Sequence, residues 1–206
     1  MHIAVLAASG GTGHQLALQA LERGHTVTAI ARRPAGLELP VSERLFRTAG
    51  DVRDAASIAR AVGAADVVVS GLGVVRGEPS GILLAGANAL IQAGPPRIIW
   101  LGAFGTGPSA ARASAFARGV MGLALRAQMS DKVAADSAML SAGATVFHAG
   151  PLTNGPLSTT YRVVELSDVP RRLFAASISR ATVASAMLDS AEALSSASGV
   201  VVPLSD

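Results

Sequence analysis

The segment that most constrains this chain is Ala7-Ala8-Ser9-Gly10-Gly11-Thr12-Gly13. It follows the apolar run Ile3–Ala7, suited to a buried strand. It opens a helix predicted from Thr12 to Arg23, with Leu16, Ala17, Ala20 and Leu21 on one face. Glycines at such a strand-to-helix turn let the backbone approach a ligand closely, and the free N–H groups of the first helical turn attract an anion. A flexible turn without a ligand would need neither this spacing nor this context.

The rest of the chain alternates in the same way. Strands are predicted at Thr26–Ala31, Leu45–Thr48, Asp66–Ser70, Arg97–Leu101 and Thr145–His148. Asp54 is placed to cap a helix carrying Ile58, Ala59 and Val62, which Gly63 ends. Ser80 is read as the cap of a helix with Leu83, Leu84, Ala87, Leu90 and Ile91 inward, stopped at Gly94-Pro95-Pro96. A Gly/Ala/Ser-rich stretch to Arg112 leads into helical sequence, and a helix over Ser130–Ala142 ends at Gly143. Thr159–Leu166 reads as a strand, Ser179–Ser190 as a capped helix and Gly199–Val202 as a short last strand. Such βα units imply an α/β fold: a doubly wound, mostly parallel sheet of about six or seven strands with helices on both faces. The whole chain, 1–206, reads as one domain. Half of it is apolar and only 3% aromatic, so its core must be made of Ala, Val, Leu and Ile.

Composition removes several functions. Without cysteine there are no disulfides, thiolate metal sites or thiol nucleophiles. His2, His14, His25 and His148 are dispersed without ligand spacing, so no metal is expected. The net charge of +3 comes from scattered arginines, Lys132 being the only lysine, so no nucleic-acid partner is expected. Residues 1–21 lack the basic start of a signal peptide, and Gly, Pro and Asn interrupt the other uncharged runs. A cytoplasmic protein with no membrane partner is the expectation.

In a sheet of this type ligands bind beyond the carboxyl ends of the strands. At the end of the second strand, dinucleotide-binding chains that take NAD usually carry an acid for the ribose hydroxyl. Arg32-Arg33 stands there instead. A guanidinium can hold a 2′-phosphate with two hydrogen bonds, so NADP(H) is favoured, with Arg32 the better placed of the pair.

The glycine run resembles the Gly-Ala-Ser/Thr-Gly-x-x-Gly motif of the atypical, or extended-type, short-chain dehydrogenase/reductase superfamily. More narrowly, the chain is similar to the single-domain NAD(P)H-binding group that includes biliverdin reductase B (flavin reductase) and the NmrA-like proteins. Gly50-Asp51-Val52, Gly71-Leu72-Gly73, Asp131-Lys132, Gly150-Pro151-Leu152-Thr153 and Ile178-Ser179-Arg180 also match. The resemblance implies a Rossmann fold with Ala8 to Gly13 at the diphosphate and Asp51 and Val52 bordering the adenine. It also implies that Gly71, Leu72 and Gly73 pass beside the ribose and diphosphate. Ala7 departs from the motif, which has glycine there, so the turn must tolerate a Cβ. Gly102-Ala103 follows the fifth strand, where relatives often place Ser or Thr near the nicotinamide.

The catalytic Tyr-x-x-x-Lys pair of the superfamily is missing. The residue four beyond Tyr161 is Glu165, and Gln128 lies four before Lys132. Lys132 and His148 are the candidate proton donors that remain, with Thr106 and Ser109 in the loop after the fifth strand. The simpler reading of Lys132 is an exposed i,i+4 ion pair with Asp136, and that of His148 is packing. Hydride transfer to a flavin or quinone needs no protein acid, because the acceptor delocalises the charge. Phe104, Pro151 and Leu152 are the candidate apolar platform for such a small-molecule acceptor, in a pocket built from the loops after strands four to six and the C-terminal segment. The expectation is an NADPH-dependent reductase of flavins, quinones or similar conjugated molecules. The alternative is a non-catalytic NADP(H)-binding redox sensor of the NmrA-like type.

Overall fold

A computed structural model describes residues 1–74, 80–112, 126–169, 176–193 and 198–205. The helical sequence expected just after Arg112 falls largely outside these residues. The described strands are β1 (His2–Leu6), β2 (Thr26–Ala31), β3 (Leu45–Ala49), β4 (Val67–Ser70), β5 (Ile98–Ala103) and β6 (Thr145–Ala149). They continue with β7 (Leu152–Thr153), β8 (Tyr161–Glu165), β9 (Ile178–Ser179) and β10 (Gly199–Ser205). The α-helices are α1 (Gly11–Glu22), α2 (Ala55–Val62), α3 (Ile82–Ala93), α4 (Arg126–Ser141) and α5 (Arg180–Glu192).

Eight strands form one sheet in the order β3-β2-β1-β4-β5-β6-β10-β8, while β7 and β9 pair separately. The first six keep the 3-2-1-4-5-6 order of the Rossmann fold, and all their pairings are parallel. β10 extends the sheet parallel to β6, and β8 closes the edge antiparallel to β10. The sheet is therefore one strand wider than the widest expectation. β10 runs three residues beyond the expected Val202, and Val201 to Ser205 pair with β8.

Strand alternation sorts the apolar residues into two cores. Ile3, Val5, Val67, Val69, Ile99 and Phe147 pack on one face with α1 and α5. Ala4, Leu6, Val68, Trp100 and Val146 pack on the other with α2, α3 and α4. Both faces are covered, which is why these strands read as unbroken apolar runs.

Two caps behave as their residues suggest. The Asp54 carboxylate accepts from the Ser57 amide at α2, and the Ser179 hydroxyl accepts from the Thr182 amide at α5. The Ser80 cap does not form. Gly81 occupies the N-cap of α3 in the left-handed region, at φ 92°. The buried Asp131 carboxylate of α4 accepts from the Leu83 and Leu84 amides instead. A remote carboxylate thus satisfies the start of α3, and no local sequence pattern could have announced it. Among the described residues no helix is long and apolar enough to cross a membrane.

Candidate functional site

The strand order reverses between β1 and β4, and the glycine-rich turn leaves β1 at that point. Ala7 begins the turn with φ 61°, among the described residues the only non-glycine with positive φ. Its carbonyl accepts from the Gly10 amide at 2.9 Å, closing the chain on itself before α1 begins. The missing first glycine is thus answered by an alanine held in a glycine's conformation.

The next glycines are required by close approach. A Cβ on Gly13 would lie 2.1 Å from the Ala7 carbonyl oxygen, and one on Gly71 would lie 2.7 Å from the Gly13 nitrogen. α1 therefore starts pressed against both β1 and the end of β4. Its N-cap is Gly10, with no side-chain cap and no acid in the first turn. The amides that a helix start leaves unpaired are consequently available to an anion. A cradle of this shape suits a dinucleotide's diphosphate, and a capping carboxylate would have spoiled it.

A cleft of about 430 Å³ opens over this turn. Ser9, Gly10, Gly11 and Thr12 border it, with Arg32 beyond β2, Val52 beyond β3, and Gly71, Leu72 and Gly73 beyond β4. Leu101, Lys132 and Leu152 border it as well. The volume lies in the range of small-molecule sites. The structure thus draws most of the sequence-derived positions to one cavity. Gly86 of α3 contributes from outside, since a Cβ there would come within 2.4 Å of Leu72 Cδ2.

Other expected residues stand apart from it. Ala8 is buried, its amide bonded to the Ile30 carbonyl, and Gly13 supports the turn from beneath. Arg33 is exposed outside the lining. Asp51 turns its carboxylate to the Arg53 amide at 2.9 Å, in the approach to α2. Phe104 and Pro151 are not in the lining, although Leu152 is.

A buried polar network ties together β5, the loop after it, α4 and β6. His148 is fully buried, with Nδ1 2.7 Å from the Ser109 hydroxyl. Its Nε2 is 3.1 Å from Asp136 Oδ2, within ion-pair distance but without hydrogen-bond alignment. The Asp136 carboxylate also accepts from Trp100 Nε1 at 3.1 Å and lies 3.3 Å from the Thr106 hydroxyl, which donates to the Ala103 carbonyl at 2.7 Å. The Ser109 hydroxyl accepts from the Gly105 amide and donates to the Thr106 carbonyl, fastening the loop after β5. Asp136 thus points inward, and the expected Lys132–Asp136 surface pair does not exist. Lys132 faces the cleft instead, half-buried.

The same network explains Gly102. A Cβ there would lie 2.8 Å from His148 Cδ2 and 2.9 Å from Asp136 Oδ2. The Ser or Thr that the resemblance leads one to expect near this position has no room at Gly102. Tyr161 lies far along the sheet on β8, hydrogen-bonded to Ser185 and Asp189. Burial, reinforced by the Asp189 carboxylate, pushes its phenol above the ordinary range. It takes no part in the cleft.

Sequence reasoning missed Leu101 and Arg180 as lining residues. Leu101 looked like an ordinary strand end. Arg180 stood in a matched motif, but nothing local indicated that its side chain would return to the first turn of α1.

Solved structures share the architecture. A wide-type short-chain dehydrogenase/reductase from Veillonella parvula, in complex with NADP, is 19% identical, with 98% of this chain and 93% of that one covered and a TM-score of 0.79. ChuY, an anaerobilin reductase from Escherichia coli O157:H7, is 21% identical over 100% and 97% of the two chains, with a TM-score of 0.76. A candidate NADH-flavin reductase from Streptococcus pneumoniae is 17% identical over the full length of both, with a TM-score of 0.80. At these identities the likeness establishes the fold alone. No curated protein matches the sequence. A family model described as NAD(P)H-binding matches residues 7–193, most of the chain, and this protein belongs to that NAD(P)H-binding family.

Proposed function

We propose that this protein is an NADPH-dependent oxidoreductase that delivers hydride to a flavin, a quinone or a similar conjugated small molecule in the cytoplasm. The observation that carries the reading is a cleft bordered by the uncapped start of α1 and Arg32 and also by Leu101, Lys132 and Leu152. One end suits phosphates and the other an apolar ring. When bound, the reduced dinucleotide supplies the hydride.

The residues divide the remaining work. The backbone of Ser9 to Thr12 holds the diphosphate, with Ala8 and Gly13 shaping the turn. Arg32 grips the 2′-phosphate and Arg33 adds positive potential from outside. Val52, Gly71, Leu72 and Gly73 wall the adenosine half, and Asp51 fixes the loop that carries Val52. Leu152, with Leu101 beside it and Phe104 and Pro151 at the rim, forms the acceptor platform. The acceptor pocket draws on the loops after β4, β5 and β6 and on the C-terminal segment, within one domain. His148 is sealed from the cleft and acts by positioning the loop after β5. Lys132 is the cation that faces the acceptor end. The names of two neighbours, an anaerobilin reductase and a candidate NADH-flavin reductase, point toward conjugated acceptors.

The test is an acceptor screen with NADPH as donor, covering FMN, riboflavin, quinones and linear tetrapyrroles. Protein-dependent loss of NADPH absorbance with one class is the expected result. Tight NADPH binding with no turnover on any of them would overturn the reductase and leave the sensor reading. Fluorescence titration tests the cofactor choice: Arg32→Ala should weaken NADPH about ten-fold or more and leave NADH unchanged.

A further inference from the structure

The inference concerns Arg180 and rests on the reading of the cleft as a dinucleotide site. Arg180 is the first residue of α5, directly after the Ser179 cap. Its side chain lies over the glycine-rich turn. A Cβ on Gly11 would come within 2.9 Å of Arg180 Cδ and 3.0 Å of Nε. The guanidinium Nη1 donates to Asn154 Oδ1 at 2.7 Å, with the Leu152 carbonyl at 3.4 Å. Both acceptors are neutral, and among the described residues no carboxylate pairs with it. Arg180 also borders a second cleft of about 430 Å³, lined by His14, Glu38 and Asn154, which shares Ser9, Gly10 and Gly11 with the first.

A structural tie is a poor account of this placement. The segment that Arg180 reaches, β7, is already held to β9 by backbone pairing at Leu152 and Thr153. A guanidinium with neutral partners, beside a helix start that has no side-chain cap, adds a charge and donors to those of the amides. Gly11 makes the placement possible, since any side chain there would push the arginine off the turn.

We propose that Arg180 is a diphosphate clamp: its guanidinium closes over the diphosphate from the side opposite the α1 amides. It thereby supplies affinity common to NADPH and NADH. Arg32, by contrast, acts on the 2′-phosphate alone. Asn154 holds the guanidinium in place before the ligand arrives, so little side-chain freedom remains to be lost on binding.

The experiment compares the native chain with Arg180→Gln and Arg180→Lys by titration with NADPH, NADH and adenosine 2′-monophosphate. Loss of charge-assisted hydrogen bonds should weaken NADPH and NADH alike, by about ten- to a hundred-fold in Arg180→Gln. Arg180→Lys should recover part of the loss, and adenosine 2′-monophosphate should bind all three proteins equally. The salt dependence of NADH binding should flatten in Arg180→Gln. A second measurement needs no variant: NADH should protect Arg180 of the native protein from phenylglyoxal, and adenosine 2′-monophosphate should not. Unchanged NADH affinity in Arg180→Gln, equal weakening of all three ligands, or absence of protection would each overturn the clamp. If the native protein binds NADPH, such a result leaves the dinucleotide reading standing. Failure of the native, folded protein to take up either dinucleotide would overturn both.

Discussion

The two ends of the cleft are built on opposite plans. Around the turn after β1 the geometry is made by backbone: glycine against carbonyl, glycine against glycine, and an alanine in the left-handed region. Around β5 and β6 it is made by side chains: Asp136, His148, Ser109 and Trp100 interlock beneath the loop after β5. Each end contains a glycine with no room for a Cβ, yet Gly13 faces a peptide oxygen and Gly102 faces an imidazole and a carboxylate. Backbone cannot step aside, whereas side chains can. The glycine-rich turn is therefore fixed in shape, while the region around β5 and β6 can be remodelled by exchanging a few side chains.

The largest effect should come from Gly13→Ala. With its Cβ 2.1 Å from the Ala7 oxygen, either α1 or β1 must move. We expect a loss of about 3 kcal/mol or more in urea unfolding, together with loss of NADPH binding. Retention of both would show that the cradle is as pliable as the other end.

Asp136→Ala comes next. It strips the buried acceptor from Trp100 Nε1, while the Thr106 hydroxyl keeps the Ala103 carbonyl at 2.7 Å, and should cost about 1–3 kcal/mol. NADPH affinity, measured by fluorescence titration, should remain within about two-fold, because hydrogen bonds this far from the turn do not shape it. A large loss of NADPH binding would break the division between the two ends.

Gly102→Ala should be milder, at about 1–2 kcal/mol, since the neighbours it crowds can rotate. Combined with Asp136→Ala it should cost less than the sum, because one of the crowding groups is gone. Strict additivity in urea unfolding would mean that the two positions do not share the space assigned to them.

The same division decides what was legible in the sequence. The turn, α1, β2 and Arg32 are contiguous, so glycine spacing and apolar runs disclosed them directly. The network around β5 and β6 joins residues 100, 106, 109, 136 and 148, which no periodicity connects. Lys132 and Asp136 look like a helical surface pair because the i,i+4 rule knows nothing of Trp100 waiting on β5. Ser80 looks like a cap for the same reason: Asp131, 48 residues from Leu83, arrives only through folding. Arg180 is the clearest case, a distal residue whose side chain completes the most local motif in the chain.

The smallest effect tests the backbone plan at its one irregular point. Ala7 at φ 61° carries a left-handed penalty of about 1–2 kcal/mol that glycine does not. Ala7→Gly removes it, but glycine also gives the unfolded chain freedom worth about 0.4–1 kcal/mol. The difference leaves a net gain of about 0.5–1 kcal/mol, visible as a higher urea midpoint with an unchanged slope. Because the turn keeps its shape, NADPH affinity should not change. A destabilised Ala7→Gly variant would mean that the alanine methyl, half-buried in the wall of the cleft, contributes more by packing than the left-handed backbone costs. In that event even the cradle would owe part of its form to a side chain, and the contrast between the two ends would be one of degree.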